Sequence, residues 1–562
     1  MVDDAGMFLR LIVVLWLIAS VAVSAAPSVA RGERGAVASV QPLASRAGLA
    51  AMQSGGNAID AAVAIGLTLG VVDGHDSGIG GGCFMLIRRA NGEFVAIDGR
   101  EMAGAAATRE MFLRAGKGDV ALSQTGALAS AVPGSVAVYS YALEKFGRKS
   151  FAELLEPAAQ IAEEGFPIDE VYARKLAGAA ADLGRFEASR AIFLKPDGSA
   201  FTAGEILKQR DLAASYRALA KDGADWFYRG AFPPQLEAWM KANGGILSAD
   251  DFARYQLVLR EPVRGSYRGC EVVSFPPPSS GGVHVLQILN ILANFELKKM
   301  DDASRVNVMA EAMKLAFADR AFWLGDPDFV PVPRGLLRAD YAKTLAARIR
   351  PEAVCAAPTH GEPPDAVTDF FGKHTTHFST ADADCNWVAC TATVNTAFGS
   401  KVVIPGTGIL LNDQMDDFSI EPGVPNAFKL VGAEANAIAP GKRPLSSMAP
   451  TIVLRDGKPI LSLGAAGGPT IISQTVINLV GVLDLGLSLE AALAAPRFHH
   501  QWQPNELRIE NTWPESVRER LVGFGQQLSV VEHSGASNAV GFFDGKFIGV
   551  SEPRVPGEAL AW

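Results

Sequence analysis

Thr375 and Thr376 stand in the run Lys373-His374-Thr375-Thr376-His377-Phe378-Ser379, where a hydroxyl could act as a nucleophile. A threonine hydroxyl attacks poorly unless a base takes its proton, and one solution makes the residue the first of a chain, so that its own amine is that base. A free α-amine titrates near pH ~7.7–8.0, within reach of proton transfer at neutral pH. By propensity alone the pair is simply β-branched sheet sequence. Its neighbours enlarge the set. In the stretch 387–397, Thr391, Thr393 and Asn395 fall on one strand face by period two. Gln414 and Asp417 are one helical turn apart and form an acceptor cluster suited to an ammonium group. Ser446 and Ser447 offer two adjacent hydroxyls, and Gly467-Gly468 separates a strand pattern from a helix start. Unpaired amides at such a junction can hold an oxyanion. Each feature also has a bland reading, as a solvated turn, a cap or a tight turn.

Other chemistries find less support. Ser77 is preceded two residues earlier by His75, so it does not sit in a G-x-S-x-G elbow. The glycine-rich stretch 78–82 is followed by Cys83 where a dinucleotide fingerprint needs glycine, and the segment precedes a strand. The histidines include His499-His500 but no His-Glu-x-x-His, so neither a metal site nor a cofactor is expected.

The elements that must position these residues are legible from period and turn chemistry. Residues 42–53 and 60–72 read as helices separated by Gly55-Gly56, the second apolar nearly all round and therefore buried between layers. Residues 83–89 and 93–100 flank Asn91-Gly92, a strong hairpin signal. From about 135 to 350 the pattern is mainly helical, broken at 275–282, and 354–372 reads as an exposed linker. Two hairpins are expected next, 375–380 with 387–397, and 451–455 with 459–463 turned at Asp456-Gly457, then a helix over 470–485. Helices, then hairpins, then a helix imply stacked α and β layers, an α+β fold.

Composition bounds the partners. The 562 residues exceed a single ordinary core, so two domains or one large layered unit are expected. A hydrophobic content of 49% with 20% charged residues is that of a globular chain, and a net charge of −9 argues against nucleic acid. Residues 11–23 are an apolar run shorter than a spanning helix needs, followed by Ser24, Ala25 and Ala26. They read as a secretory signal peptide (1–26) cut near Ala25 or Ala26, a membrane anchor being the competing reading. Asp3 and Asp4 are out of place in such a segment, so Met7 is the expected start. The product would be periplasmic or secreted. Five cysteines match no zinc spacing; Cys385 and Cys390 could pair, but isolated thiols are an equal reading.

In order along the chain stand GGNAIDAAVA (55–64), GGGCFMLIR (80–88), AIDGREMA (96–103), PPPSSGG (276–282) and ADRAFWLGDPDF (318–329). TTHFS (375–379), ILLNDQMDDFS (409–419), GKRPLSSMAPTIV (441–453), GAAGGPTII (464–472) and APRFHHQW (495–502) follow. Together these motifs strongly resemble the gamma-glutamyltransferase (gamma-glutamyltranspeptidase) family of N-terminal-nucleophile hydrolases, over nearly the whole mature chain. The resemblance implies a four-layer αββα sandwich built jointly by a large subunit (27–374) and a small catalytic subunit (375–562), a heterodimer made by self-cleavage between His374 and Thr375. Thr375 would then attack the γ-carbonyl of a γ-glutamyl donor such as glutathione. Its amine would be the base, Thr393 would orient the hydroxyl, and the Gly467 and Gly468 amides would hold the oxyanion. Arg100, Ser446 and Ser447 would bind the substrate α-carboxylate, and Asn395, Gln414 and Asp417 its α-amine. Water, an amino acid or a dipeptide would accept the glutamyl group, with no cofactor, nucleic acid or stable membrane anchor.

Departures from the family pattern bear on gating and acceptor choice. Phe428 stands in the lid segment where many relatives carry Tyr, and loses the hydroxyl that could bond the Asn395 position. Cys83 replaces a common Gly, Asp413 a common Asn, and the loop 73–78 differs from bacterial relatives. Two competing readings are a glutaryl-cephalosporin acylase of the same superfamily, and an unprocessed binding relative. The first would not need Gln414 and Asp417; the second would not need Thr375, Thr393, Gly467 and Gly468.

Overall fold

The computed structural model describes residues 27–356, 359–366, 368–371 and 379–562. Its scaffold is two seven-stranded sheets. One is made of β2 (Gly35–Ser39), β3 (Gly82–Arg88), β4 (Phe94–Gly99), β5 (Val258–Arg260), β8 (Ser379–Asp382), β9 (Trp387–Thr393) and β14 (Glu558–Ala561), in the order β14-β2-β8-β9-β3-β4-β5. The other holds β1 (Val29–Gly32), β6 (Val263–Tyr267), β7 (Cys270–Ser274), β10 (Thr451–Arg455), β11 (Lys458–Ala466), β12 (Ala536–Phe543) and β13 (Lys546–Val550). Its order is β1-β13-β12-β11-β10-β7-β6. Residues from both sides of the expected cleavage point interleave in each sheet.

Strands buried on both faces explain how the sheets pack. On β3, Phe84 and Leu86 join the cluster that includes Val453 and Leu461 of the facing sheet, whereas Met85 and Ile87 point to the helical side. On β9 the same alternation sends Trp387 and Ala389 inward, and Val388 and Cys390 outward. Ser462 on β11 ties the sheets together, donating to Ser379 Oγ (3.0 Å) and to the Val388 carbonyl (3.1 Å).

Helices α1 (Pro42–Gln53) and α2 (Ala58–Val72) lie against the first sheet. Every residue of α2 is buried, as its all-round apolar sequence predicts. Asn57 and Asp60 close its N-terminus as a capping box. Farther out lies α3 (Glu170–Leu183). Helix α4 (Gly281–Leu292) contacts the second sheet at β6 and β7, α5 (Asp302–Trp323) packs against α4, and α6 (Thr470–Leu483) covers β11.

The hairpin at Asp456-Gly457 and the Asn91-Gly92 hairpin form, and Ser379–Asp382 pairs antiparallel with β9; residues 375–378 of the other expected hairpin lie outside the described residues. At the Asp456-Gly457 turn both residues take positive φ, 51° and 74°. The stretch 135–350 is mainly helical as expected, interrupted by the short strands β5, β6 and β7, two of which sit at sheet ends. Two expectations need correction. The stretch 387–397 ends as a strand at Thr393, and Asn395 has φ 82°. The described part of 354–372 is strapped down rather than free. Phe371 donates to the Val332 carbonyl (3.0 Å), and Gly361 donates to Asp319 Oδ1 (2.6 Å). All five cysteines are free; Cys385 is exposed and Cys390 buried. Among the described residues no helix is long and apolar enough to cross a membrane.

Candidate active site

A buried ion pair organises the site. Arg100 follows β4 and is 1% exposed; its guanidinium lies 2.5 Å from Asp417 Oδ2. Gln414 Nε2 donates to the same oxygen at 3.1 Å, because the single 3-10 turn Gln414–Asp417 brings the two side chains together. Gln414 Oε1 is buried and finds no hydrogen-bond partner among the described residues. It remains an acceptor for an incoming N–H. Arg100 is further fixed by donating to the Pro444 carbonyl (3.0 Å) and the Leu445 carbonyl (3.3 Å).

The two serines follow directly. Ser446 pairs backbone to backbone with the Pro276–Ser280 turn: its N–H donates to the Pro278 carbonyl (2.8 Å) and its carbonyl accepts from Ser280 (2.8 Å). The PPPSSGG motif is therefore the clamp that shapes the serine loop. Ser446 Oγ accepts from the Met448 amide (3.1 Å) and Ser447 Oγ accepts from Arg320 (3.1 Å). Both hydroxyl protons remain free to donate to an anion.

Arg320, on α5, is a site residue that sequence reasoning missed. It also donates to Ser280 Oγ (2.8 Å), and burial lowers its pKa to about 10 against the pull of Asp417. It lay inside the motif ADRAFWLGDPDF, yet no local pattern distinguishes it from a surface arginine. Asn436 was missed likewise: it donates to the Asp417 carbonyl (2.7 Å) and accepts from the Leu445 amide (3.0 Å), joining the acidic turn to the serine loop.

Glu101 is the third omission. It is fully buried, 3.5 Å from Arg100, and neither carboxyl oxygen has a hydrogen-bond partner among the described residues. Burial raises its pKa from 4.5 to about 7 despite Arg100. The unfolded chain loses this proton near pH 4.5 and the folded one near 7. Between those values the folded state binds more protons, so stability falls as pH rises. Glu101→Gln should remove this loss, shifting stability relative to the parent by up to about 3 kcal/mol between pH 4.5 and pH 8. Thermal melts of both proteins across that range test it; parallel curves would contradict the assignment.

The other predicted residues fall in two groups. Thr393 ends β9, where its hydroxyl accepts from the Asn395 amide (2.8 Å). The positive φ of Asn395 turns its side chain to donate to the Asp413 carbonyl (3.0 Å), so it reaches the acidic turn through a backbone bend, not through strand alternation. Asp413 is itself buried and raised to about 7 by burial, while Thr396 donates to its carboxyl. Gly467 and Gly468 take φ 125° and 59°, and neither amide donates to an acceptor among the described residues. A Cβ on Gly468 would stand 2.6 Å from the Phe428 ring, so the close approach of that ring requires glycine there. His374 and Thr375 lie outside the described residues.

The segment 421–432 closes over the ion pair. The Ala427 amide donates to Asp416 Oδ2 (2.8 Å), next to Asp417, and the Phe428 carbonyl accepts from Gln501 (3.1 Å). Beneath it, among Arg320, Asp417, Asn436 and Leu445, is a cavity of only about 20 Å³. That holds roughly one water, so a larger occupant requires the segment to move.

Facing sheets, glycine amides beside a helix start and a buried clamp of opposite charges define a class, the acyl-transferring N-terminal-nucleophile hydrolases. The gamma-glutamyltranspeptidase family model matches residues 44–562. The glutathione hydrolase proenzyme of Escherichia coli (strain K12) is 45% identical, over 93% of this chain and 91% of that protein. The acylase ACY 1 proenzyme of Pseudomonas sp. (strain SE83) is 38% identical, over 95% of this chain and 94% of its own. Among solved structures, the cephalosporin acylase from Bacillus halodurans superposes with a TM-score of 0.84 at 29% identity, covering 95% of this chain and 97% of that one. The chain belongs to the gamma-glutamyltranspeptidase family.

Proposed function

We propose that this chain is an exported, self-cleaving transferase and hydrolase of γ-glutamyl amides, glutathione among them. The observation that carries this reading is the buried Arg100–Asp417–Gln414 cluster beside Ser446 and Ser447. An α-amino-acid head group is a carboxylate and an ammonium on one carbon. Entering here, it would exchange the internal ion pair for two external ones, its carboxylate going to Arg100 and the serines and its ammonium to Asp417, Gln414 and Asn395. In the empty state each buried charge keeps a partner, which limits the desolvation cost of holding the site ready. Bidentate geometry and charge-assisted bonds favour the exchange.

The γ-carbonyl, two methylenes beyond that head, would then face Thr375. Cleavage after His374 would free the Thr375 amine, which accepts the hydroxyl proton as Oγ attacks, with Thr393 orienting the nucleophile. The tetrahedral oxyanion would be held by the Gly467 and Gly468 amides, which no protein acceptor occupies among the described residues. Collapse expels the amine and leaves a γ-glutamyl ester on Thr375, resolved by water, an amino acid or a dipeptide. In this reading residues 27–374 and 375–562 are the two subunits of one four-layer αββα sandwich. Residues 1–26 are a signal peptide, and the mature enzyme is periplasmic or secreted.

A glutaryl acylase is the second reading, favoured by the acylase relatives. A glutaryl group has no α-amine, so the buried Gln414–Asp417 acceptors favour the glutamyl substrate. The deciding experiment is mass spectrometry of the purified protein together with p-nitroaniline release from γ-glutamyl- and glutaryl-p-nitroanilide. Expected are a fragment beginning at Thr375 and turnover of the γ-glutamyl compound at least about tenfold faster, the worth of one charged hydrogen bond. A two-chain protein that prefers the glutaryl compound would overturn the proposal.

A further inference from the structure

The loop between β11 and α6 carries the two candidate oxyanion amides, and the groups that aim them lie outside it. Gly467 and Gly468 take φ 125° and 59°, and without a Cβ they have little steric guidance of their own. A peptide unit is planar and trans, so each N–H points away from the carbonyl of the preceding residue. The Ala466 carbonyl therefore sets the direction of the Gly467 amide, and the Gly467 carbonyl sets that of the Gly468 amide. Whatever holds those two carbonyls from behind turns both N–H groups to the other side.

Both carbonyls are held by buried side chains near the start of α6. Gln474 Nε2 donates to the Ala466 carbonyl (3.0 Å). Thr470 Oγ1 donates to the Gly467 carbonyl (2.8 Å), beside a longer bond from the Thr470 amide (3.3 Å). The two side chains stand one helical turn apart, and Gln474 Nε2 also donates to Thr470 Oγ1 (3.0 Å). Thr470 thus accepts on one side and commits its single hydroxyl proton to Gly467 on the other.

The carboxamide has only one orientation available. Its Oε1 accepts from Arg497 (3.0 Å) and from Ser537 (3.1 Å), and an arginine can only donate, so Nε2 must face the loop. Arg497, 1% exposed, is fixed in turn by Glu552 (2.6 Å) and by the Ser534 carbonyl (3.0 Å). A Cβ on Gly535 would collide with Gln474 Nε2, so the glycine there leaves room for the reach. Both donors and both acceptor sites of Gln474 are engaged, and each donor bears on the loop or on the threonine that holds it.

We propose that Thr470 and Gln474 are positioning residues that keep the Gly467 and Gly468 amides aimed at the oxyanion. The inference rests on the γ-glutamyl-transfer reading and deepens it, because it names the residues that convert two flexible glycines into a preorganised donor pair.

The test uses the processed two-chain enzyme with Thr470→Val, which keeps the shape and removes the hydroxyl, and Thr470→Ser, which restores it. For γ-glutamyl-p-nitroanilide, kcat should fall about tenfold in Thr470→Val, less than the roughly 10²–10³ that loss of a whole oxyanion donor costs. KM should stay within about twofold, and Thr470→Ser should recover kcat to within about twofold of the parent. L-glutamate and its analogue with a boronic acid in place of the γ-carboxyl separate aim from general structure. Only the boronic acid becomes a tetrahedral anion on a threonine hydroxyl, so its affinity should fall with kcat while that of L-glutamate holds. Gln474→Glu, isosteric but without the two N–H donors, should show the same split and serves if Thr470→Val does not fold. Unchanged kcat in the processed variants, or equal weakening of both ligands, overturns the inference. A parent enzyme that turns over no γ-glutamyl-p-nitroanilide sinks the transfer reading and the inference with it, a result distinct from an active parent with indifferent variants.

Discussion

Thr375→Ala should leave the chain as one uncut polypeptide with no measurable turnover of γ-glutamyl-p-nitroanilide. Two functions converge on one oxygen. In the proposed mechanism the hydroxyl attacks the carbonyl of His374 to cut the chain, and the same hydroxyl would later attack the donor, beside the amine that cutting releases. Loss of a nucleophile that acts with its base typically costs on the order of 10⁴ or more in kcat, leaving only binding and oxyanion stabilisation. Processing and catalysis can be separated by co-expressing residues 27–374 with a 375–562 chain that begins with Ala. This assembled protein should still bind a γ-glutamyl ligand, because Arg100, Asp417 and the serines are intact, yet remain inactive. Thr375→Ser should cut and turn over, since a primary hydroxyl can replace a secondary one. Normal subunits on a denaturing gel of Thr375→Ala would eliminate the mechanism.

The second large effect is expected from Asp417→Ala. Its carboxylate would be the main anchor of the substrate ammonium, and losing a charge-assisted bond of about 1.5–3 kcal/mol predicts a drop in kcat/KM on the order of 10–10². Glutaryl-p-nitroanilide, which lacks the amine, should lose less than about tenfold. Stability enters as well, because Arg100 is 1% exposed and loses its closest carboxylate. Removing one partner of a buried pair costs about 3–5 kcal/mol. Glu101, 3.5 Å from Arg100 and raised to about 7, can offset part of that by ionising at lower pH. Asp417→Asn keeps the shape and the bond from Gln414 while discarding the charge, so it separates packing from electrostatics. Equal losses on both substrates would contradict the ammonium role.

Much of the site was legible because its parts are local. Gln414 and Asp417 meet through one helical turn, Thr391 and Thr393 share a face through strand alternation, and Gly467-Gly468 stands where a strand becomes a helix. Where long-range packing decided, local patterns fell short. Asn395 reaches the acidic turn through a positive φ that the run of β-like residues conceals. β6 and β7 exist because β10 and each other supply their hydrogen bonds, not because their five-residue sequences insist on extension.

By itself the amino-acid order determined the family motifs, the alternation that buries β3 and β9 on both faces, and the residue types the chemistry needs. Only the folded chain decided that Arg320 and Asn436 join that set and that Arg100 rests on Asp417. The physical reason is that period and turn chemistry act over a few residues, whereas the pairing of buried charges depends on which distant segments exclude water from one another.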